Sequence, residues 1–422
     1  MLTSTPIANA VYFSLRRQIV HWKQAALRLA ALDQLASGYA WHGIEQHVGE
    51  IIRTTLRTSV DRILAHANMV FAEMENASDA ASLWRLQRDV IQLREQYLRA
   101  EETIHFYTAA VNSRTTASVA ALLRACDILC HKSMQEALQP LDRPSPRVLT
   151  YIDIGVGASI LKAGLHLWDG NVNSIAVIKV TYHNLFRPTS IIHESGHQVA
   201  HILGWNDELA RGLATGLSGH PEAVGRAAAG WASEIAADAF AFVHTGYAAV
   251  AALHDVVSGS PLSVFAYRPD DPHPVSYVRV LLGIEMCRQF FGDGPWDQLE
   301  TAFKSDYDIR LVTFPSVDLI NMCVKALPDM VRIILQSPYG AFRGRPLSHL
   351  IDPGRVSPRG LEKLEYLAGP SLYTSHAWVW KECLKLLALD GYKIALGRGD
   401  LAVLYKQEED WMTRLGFAVE LN

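Results

Sequence analysis

The chain of 422 residues is 49% hydrophobic and 19% charged, with a formal net charge of -4. That length fits roughly two or three domains, and the apolar content supplies a packed core and excludes general disorder. The slightly acidic balance creates no basic field, so neither nucleic acid nor a membrane surface is expected as a partner.

Met1 to Pro6 lack a basic segment followed by an apolar run, so no secretory leader is expected there. The most apolar stretch, 227–257, is interrupted by Glu234, Asp238, His244 and His254, which argues against a membrane span. The five cysteines are odd in number and scattered, unlike a disulfide framework, and the expected location is the cytoplasm. Cys126 and Cys130 lie one helical turn apart with no second ligand pair near them, so they read as core thiols.

In chain order, residues 1–140 read as a helical bundle or arm. From Ala81 to Val111 the apolar spacing is helical, with no internal proline or glycine. The proline-rich run 140–146 marks a boundary. Val148 to Ile154 and Ser174 to Val180 are short and rich in β-branched residues, which predicts two strands. From Pro188 onward the pattern is helical, with breaks expected around 204–221 and 258–274 and later in the chain. The expected class is mostly α (α+β), with a core and small sheet at 147–290 and a C-terminal helical region, 291–422, packing on it. Gly155 and Gly157 after the first strand resemble a nucleotide-binding loop. Such folds need several alternating strand–helix units, so a tight turn beside the sheet is expected instead.

One constellation carries chemistry. Pro188 is placed to start a helix and Gly204 to stop it, which puts His193-Glu194-Ser195-Gly196-His197 inside that helix. His193 and His197, four residues apart, project from one face about 6 Å apart along the axis and can reach one zinc ion. Glu194 can point at zinc-activated water rather than at the ion and act as general base. A further helix is expected from about Ala223 to Val243. On it, Glu234 is the natural third ligand, and Asp238, one turn later, can accept the free ring N–H of a ligating histidine. Two carboxylates among Ala, Ile, Phe and Trp are costly to bury without a cation. The strand at 175–180 precedes the motif helix, and the resemblance of this arrangement to zincins implies that it is the edge strand that pairs with an extended substrate.

His201, a turn beyond His197, lies about 12 Å from His193 along the axis, too far to share an ion. His220, Glu208 and Glu222 are weaker alternative ligands, and Tyr247, Tyr267 and Tyr277 are alternative oxyanion donors. A metzincin site requires a third histidine at position 203, where this chain has Leu203.

The His193-Glu194-x-Gly196-His197 motif, followed by Glu234-x-x-Ala237-Asp238, resembles the gluzincin metallopeptidases. His273-Pro274, with Arg279 five residues after the proline, is similar to the later His-Pro-x-x-x-x-Arg pattern of the CAAX prenyl-protease and heat-shock membrane-protease group. The likeness covers about 174–290. It implies a zincin-like core binding Zn2+ through His193, His197 and Glu234, with Glu194 as base. It also implies that His273 donates to the tetrahedral oxyanion, and that Arg279 braces Asp238 or a loop, or meets substrate. The expected function is a soluble zinc metallopeptidase acting on a peptide or protein substrate, with gating by the helical flanks or by a regulatory partner reached through residues 1–140. The alternative is a catalytically inactive zincin-fold scaffold or interaction protein.

Overall fold

Apolar residues recurring every three to four positions build helices through most of the computed structural model, which describes residues 6–77, 79–313 and 315–418. Near the N-terminus, α1 (Pro6–Leu29), α2 (Glu50–Glu75) and α3 (Ala80–Asn112) share one core. Leu15 and Ile19 of α1 meet Val70 and Met74 of α2 and Leu83, Leu86 and Val90 of α3. Burying each of these larger side chains contributes roughly 1.5–3 kcal/mol. A reciprocal cap starts α3: Asp79 accepts from the Ser82 backbone N–H at 2.7 Å, and Ser82 Oγ accepts from the Asp79 N–H at 3.2 Å.

By packing, the chain forms two units, 1–120 with 163–175, and 121–162 with 176–422. The excursion 163–175 is tied into the first unit by polar contacts. Tyr107 donates to Asn173 Oδ1 at 2.6 Å, and the Asn171 amide donates to Ser59 Oγ at 2.8 Å. The division falls at Ala120, ahead of the proline-rich run. The helix α4 (Ala117–Leu138) explains this, because its buried Asp127 accepts from the backbone N–H and hydroxyl of Thr150, at 2.7 and 2.9 Å, inside the second unit.

The second unit contains the sheet, formed by β1 (Arg147–Ile152), β2 (Ser159–Leu161) and β3 (Ile175–Val180) in the order β1-β3-β2. Two strands were expected and lie where the β-branched runs placed them. The third, β2, pairs antiparallel with β3, with Leu161 opposite Val177. The expectation that 175–180 is the edge strand is corrected: β3 is central. Its side chains are buried from Ile175 to Ile178 and again at Val180, the pattern of a strand covered on both faces. The edge beside the site is β2.

The motif helix α5 (Thr189–Leu203) follows Pro188 and stops at Gly204, whose φ of +66° is the left-handed conformation that closes a helix. A further helix, α6 (Trp205–Gly216), occupies a stretch where a break was expected. Its Gly216 lets Ile333 approach, since a Cβ there would stand 2.7 Å from the isoleucine Cδ1. The single helix expected at 223–243 is two, α7 (Glu222–Gly230) and α8 (Ala232–Thr245), interrupted at buried Trp231. Next come α9 (Tyr247–Val257) and α10 (Ser276–Phe291). Helices beyond residue 291 belong to the same unit: α11 (Val317–Val331) packs on α10, and α12 (His376–Ala395) on α9. The last helix, α13 (Leu401–Phe417), packs on α12, where Trp411 donates to buried Asp390 at 2.8 Å. Among the described residues, no helix is long and apolar enough to cross a membrane.

Candidate metal centre

Close approach of α5 and α8 assembles the site, and Gly196 permits it. A Cβ at this position would lie 2.9 Å from both Ala237 Cα and Phe240 Cβ, so only a residue without a side chain fits the crossing. The motif face of α5 is thereby laid against Glu234 and Asp238 of α8. The two imidazoles stand edge to face with centroids 4.7 Å apart. His193 Nε2 is 3.4 Å from Glu234 Oε2, and His197 Nε2 is 3.2 Å from Glu234 Oε1. One ligand atom from each of the three residues lies within 4.8 Å of the others, so the cluster can hold a metal ion.

The outward ring nitrogens are also engaged. His193 Nδ1 is 2.8 Å from Asp238 Oδ1, and His197 Nδ1 is 3.4 Å from Ser233 Oγ. Anchoring Nδ1 on a carboxylate aims Nε2 at Glu234 and makes it the nitrogen that would ligate once deprotonated. Arg279 reaches in from α10. Its Nε and Nη2 donate to the two Asp238 oxygens at 2.6 and 2.8 Å, and Nη2 also donates to Glu234 Oε2 at 3.0 Å. Of the readings open for Arg279, bracing Asp238 is the one its contacts show.

This packing governs the charges. Burial alone would lower the His193 pKa, but Asp238 and Glu234 outweigh it and hold the imidazole up at about 9. Burial would raise Glu234, yet His193, His197 and Arg279 hold its carboxyl far below the usual range. Asp238 is likewise held low, burial being overcome by Arg279 and His193. Glu194 differs: burial pushes it up, and the neighbouring histidines only partly offset this.

Glu194, 7% exposed, lines a cavity of about 600 Å³ together with His193, His197, Glu234, Asp238 and Arg279. The rest of the cavity is largely apolar, walled by Phe242 of α8, Val250 and Leu253 of α9, and Leu282 and Met286 of α10. Gly157, Ser159 and Ile160 bring the β1–β2 loop and the edge strand to the same cavity. His273 is at its rim. The side chain is 58% exposed, with Nε2 3.7 Å from Glu234 Oε1 and Nδ1 2.6 Å from Asp271 Oδ1.

Lys162, the residue after β2, also lines the cavity and was missed in the sequence. Burial lowers its pKa, and the Glu194 and Glu234 carboxylates act against that, so its charge is felt at the centre. Only the three-residue strand before it could have pointed to it, and Ser159-Ile160-Leu161 is too short to register.

The alternatives are engaged elsewhere. His201, one turn beyond His197 along the helix, is exposed and does not line the cavity. His220 pairs with Asp329 at 2.8 Å, Glu208 accepts from the Ala341 N–H at 3.2 Å, and Glu222 pairs with Arg226 at 2.5 Å. Tyr247 packs on Trp296, Tyr267 on Trp231 and Tyr277 on Phe303, and none of the three lines the cavity. Gly155, with φ of +134°, belongs to the turn between β1 and β2. Cys126 and Cys130 are buried thiols.

Compared with protein-family models, with curated proteins and with solved structures, the chain has no match.

Proposed function

We propose that this chain is a zinc-dependent peptidase, with His193, His197 and Glu234 holding the ion and Glu194 acting as general base. The convergence of both histidine Nε2 atoms on Glu234 carries the reading. Two atoms about 2.0–2.1 Å from one tetrahedral ion stand about 3.3 Å apart, close to the 3.2 and 3.4 Å found between the imidazoles and the carboxylate. The donor set of two imidazoles and one carboxylate suits zinc. Three protein ligands facing a cavity also favour catalysis over a structural role, which normally closes with four. That openness weighs against an inactive scaffold.

When bound, the metal supplies Lewis acidity that polarises a carbonyl and lowers the pKa of water. The protein supplies the rest. Glu194 takes a proton from the water whose oxygen attacks the carbonyl carbon, then delivers it to the amine nitrogen as the C–N bond breaks. Burial pushes its pKa up, which favours its holding that proton between the two steps. Asp238, steadied by Arg279, keeps His193 in the ligating orientation. The edge of β2 offers backbone groups to an extended substrate, and the apolar wall from α8, α9 and α10 accepts a large apolar group. The gluzincin resemblance agrees with this arrangement of ligands and base.

The test compares wild type with Glu194→Gln, both loaded with zinc, on a mixed peptide library read by mass spectrometry. Wild type is expected to cleave peptides, and the variant to keep its metal and lose cleavage. Equal turnover by the two proteins would refute the assignment.

A further inference from the structure

Peptide hydrolysis at this centre, the reading on which this inference rests, puts negative charge on the carbonyl oxygen as water adds. A preorganised donor at that oxygen is worth about 10²–10³ in rate. The donor must line the cavity, be shielded enough for its charge to count, and lie beside the base and ligands. Arg279 is buried, but its guanidinium is committed to both oxygens of Asp238 and to Glu234. His273 is mostly exposed and held by Asp271 at the rim. The three tyrosines near the site do not line the cavity.

Lys162 meets the conditions. It lines the cavity with Glu194 and the three candidate ligands, it is partly buried, and it directly follows the edge strand along which an extended substrate would lie. Its register is set by Leu161 facing Val177 in the central strand. A four-carbon stem carrying a compact ammonium can follow an oxygen as carbonyl geometry becomes tetrahedral.

We infer that Lys162 is a catalytic residue that binds the substrate oxygen bearing the negative charge of the tetrahedral intermediate, so that the oxyanion is held from the edge strand rather than by His273.

The experiment uses the full chain loaded with zinc, in wild type, Lys162→Met and Lys162→Arg. Metal content and thermal midpoint are measured first, to show that each variant is folded and loaded. Calorimetry then compares two probes with blocked ends: an acetylated, amidated Phe-Leu phosphinic peptide, which carries the oxyanion charge, and the matching amide peptide, bound in a Glu194→Gln background. Lys162→Met is expected to weaken the phosphinic probe about 100-fold and the amide probe less than threefold, with Lys162→Arg recovering part of the loss. On a cleaved peptide, kcat should fall about 100-fold with KM little changed. Equal weakening of both probes would show that Lys162 reads a ground-state feature, and unchanged binding of both that it reads nothing. Either result overturns the inference, as does a wild type that binds no phosphinic probe. If wild type binds the charged probe through Lys162 yet cleaves no peptide, the peptidase reading fails and the oxyanion site stands.

Discussion

Asp238 receives both Nε and Nη2 of Arg279, at 2.6 and 2.8 Å, and presents its Oδ1 2.8 Å from His193 Nδ1. One carboxylate thus links a buried cation on α10 to a candidate ligand on α5. Asp238→Asn keeps the shape but loses the charge that fixes the imidazole. Zinc affinity, measured by competition with a chelator, is expected to fall about 10–100-fold, and Arg279→Lys should fall in the same direction because one ammonium cannot replace the fork. Unchanged affinity in both would remove Asp238 from the centre.

Protons should leave as the metal enters. In the metal-free protein His193 is held at about 9, so at pH 7.5 it carries a proton that must go before Nε2 can ligate. Apparent affinity should therefore rise with pH until about 9. Calorimetry in buffers of different ionisation enthalpy should show release of about one proton at pH 7.5. The release should shrink in Asp238→Asn, where the imidazole pKa is lower. Binding that takes up no buffer-dependent heat would contradict this.

The ligand motif was legible because i, i+4 spacing needs only a helix, and Pro188 and Gly204 marked its ends. Glu234 with Asp238 was legible for the same reason, as two acids one turn apart on an apolar helix. Features that depend on packing across the chain were not. β2 takes its place at the sheet edge only by pairing with β3, and Lys162, the residue after it, reaches the cavity wall through that placement. The break at Trp231 follows Gly230, the last residue of α7, and coincides with burial of the indole. Gly212 and Gly216, in the stretch 204–221 where a break was expected, are contact points for Tyr339 and Ile333 on a continuous helix.

Gly196→Ala tests the crossing of α5 and α8. The added methyl meets backbone at Ala237 as well as Phe240 Cβ, so the helices must separate. Overpacking of this kind costs about 1–3 kcal/mol, and the separation should also pull Glu234 from the histidines. A lower thermal midpoint and weaker zinc binding are expected together. A stable variant with wild-type affinity would mean the crossing tolerates a side chain.

Stability should also depend on pH through a pair away from the site. Burial pushes Asp390 up to about 7 and Glu408 well above its usual value, and neither Glu408 oxygen has a hydrogen-bond partner. Both folded-state values exceed the unfolded ones, which lie near 4. Their contribution is therefore fully present below about pH 4 and is lost as pH rises through 7 and beyond. Glu408→Gln should raise the thermal midpoint relative to wild type at pH 8, and the gain should shrink towards pH 5. Parallel curves would exclude the pair as a source of the pH dependence.

In the proposed mechanism His193, His197 and Glu234 bind one ion. Diffraction data collected on either side of the zinc absorption edge, from crystals of the zinc-loaded protein, test it most directly. One strong anomalous peak is expected within bonding distance, about 2.0–2.2 Å, of both histidine Nε2 atoms and of the Glu234 carboxylate, beside Glu194. A peak bound by other residues, or none in protein shown to be saturated with zinc, would contradict it.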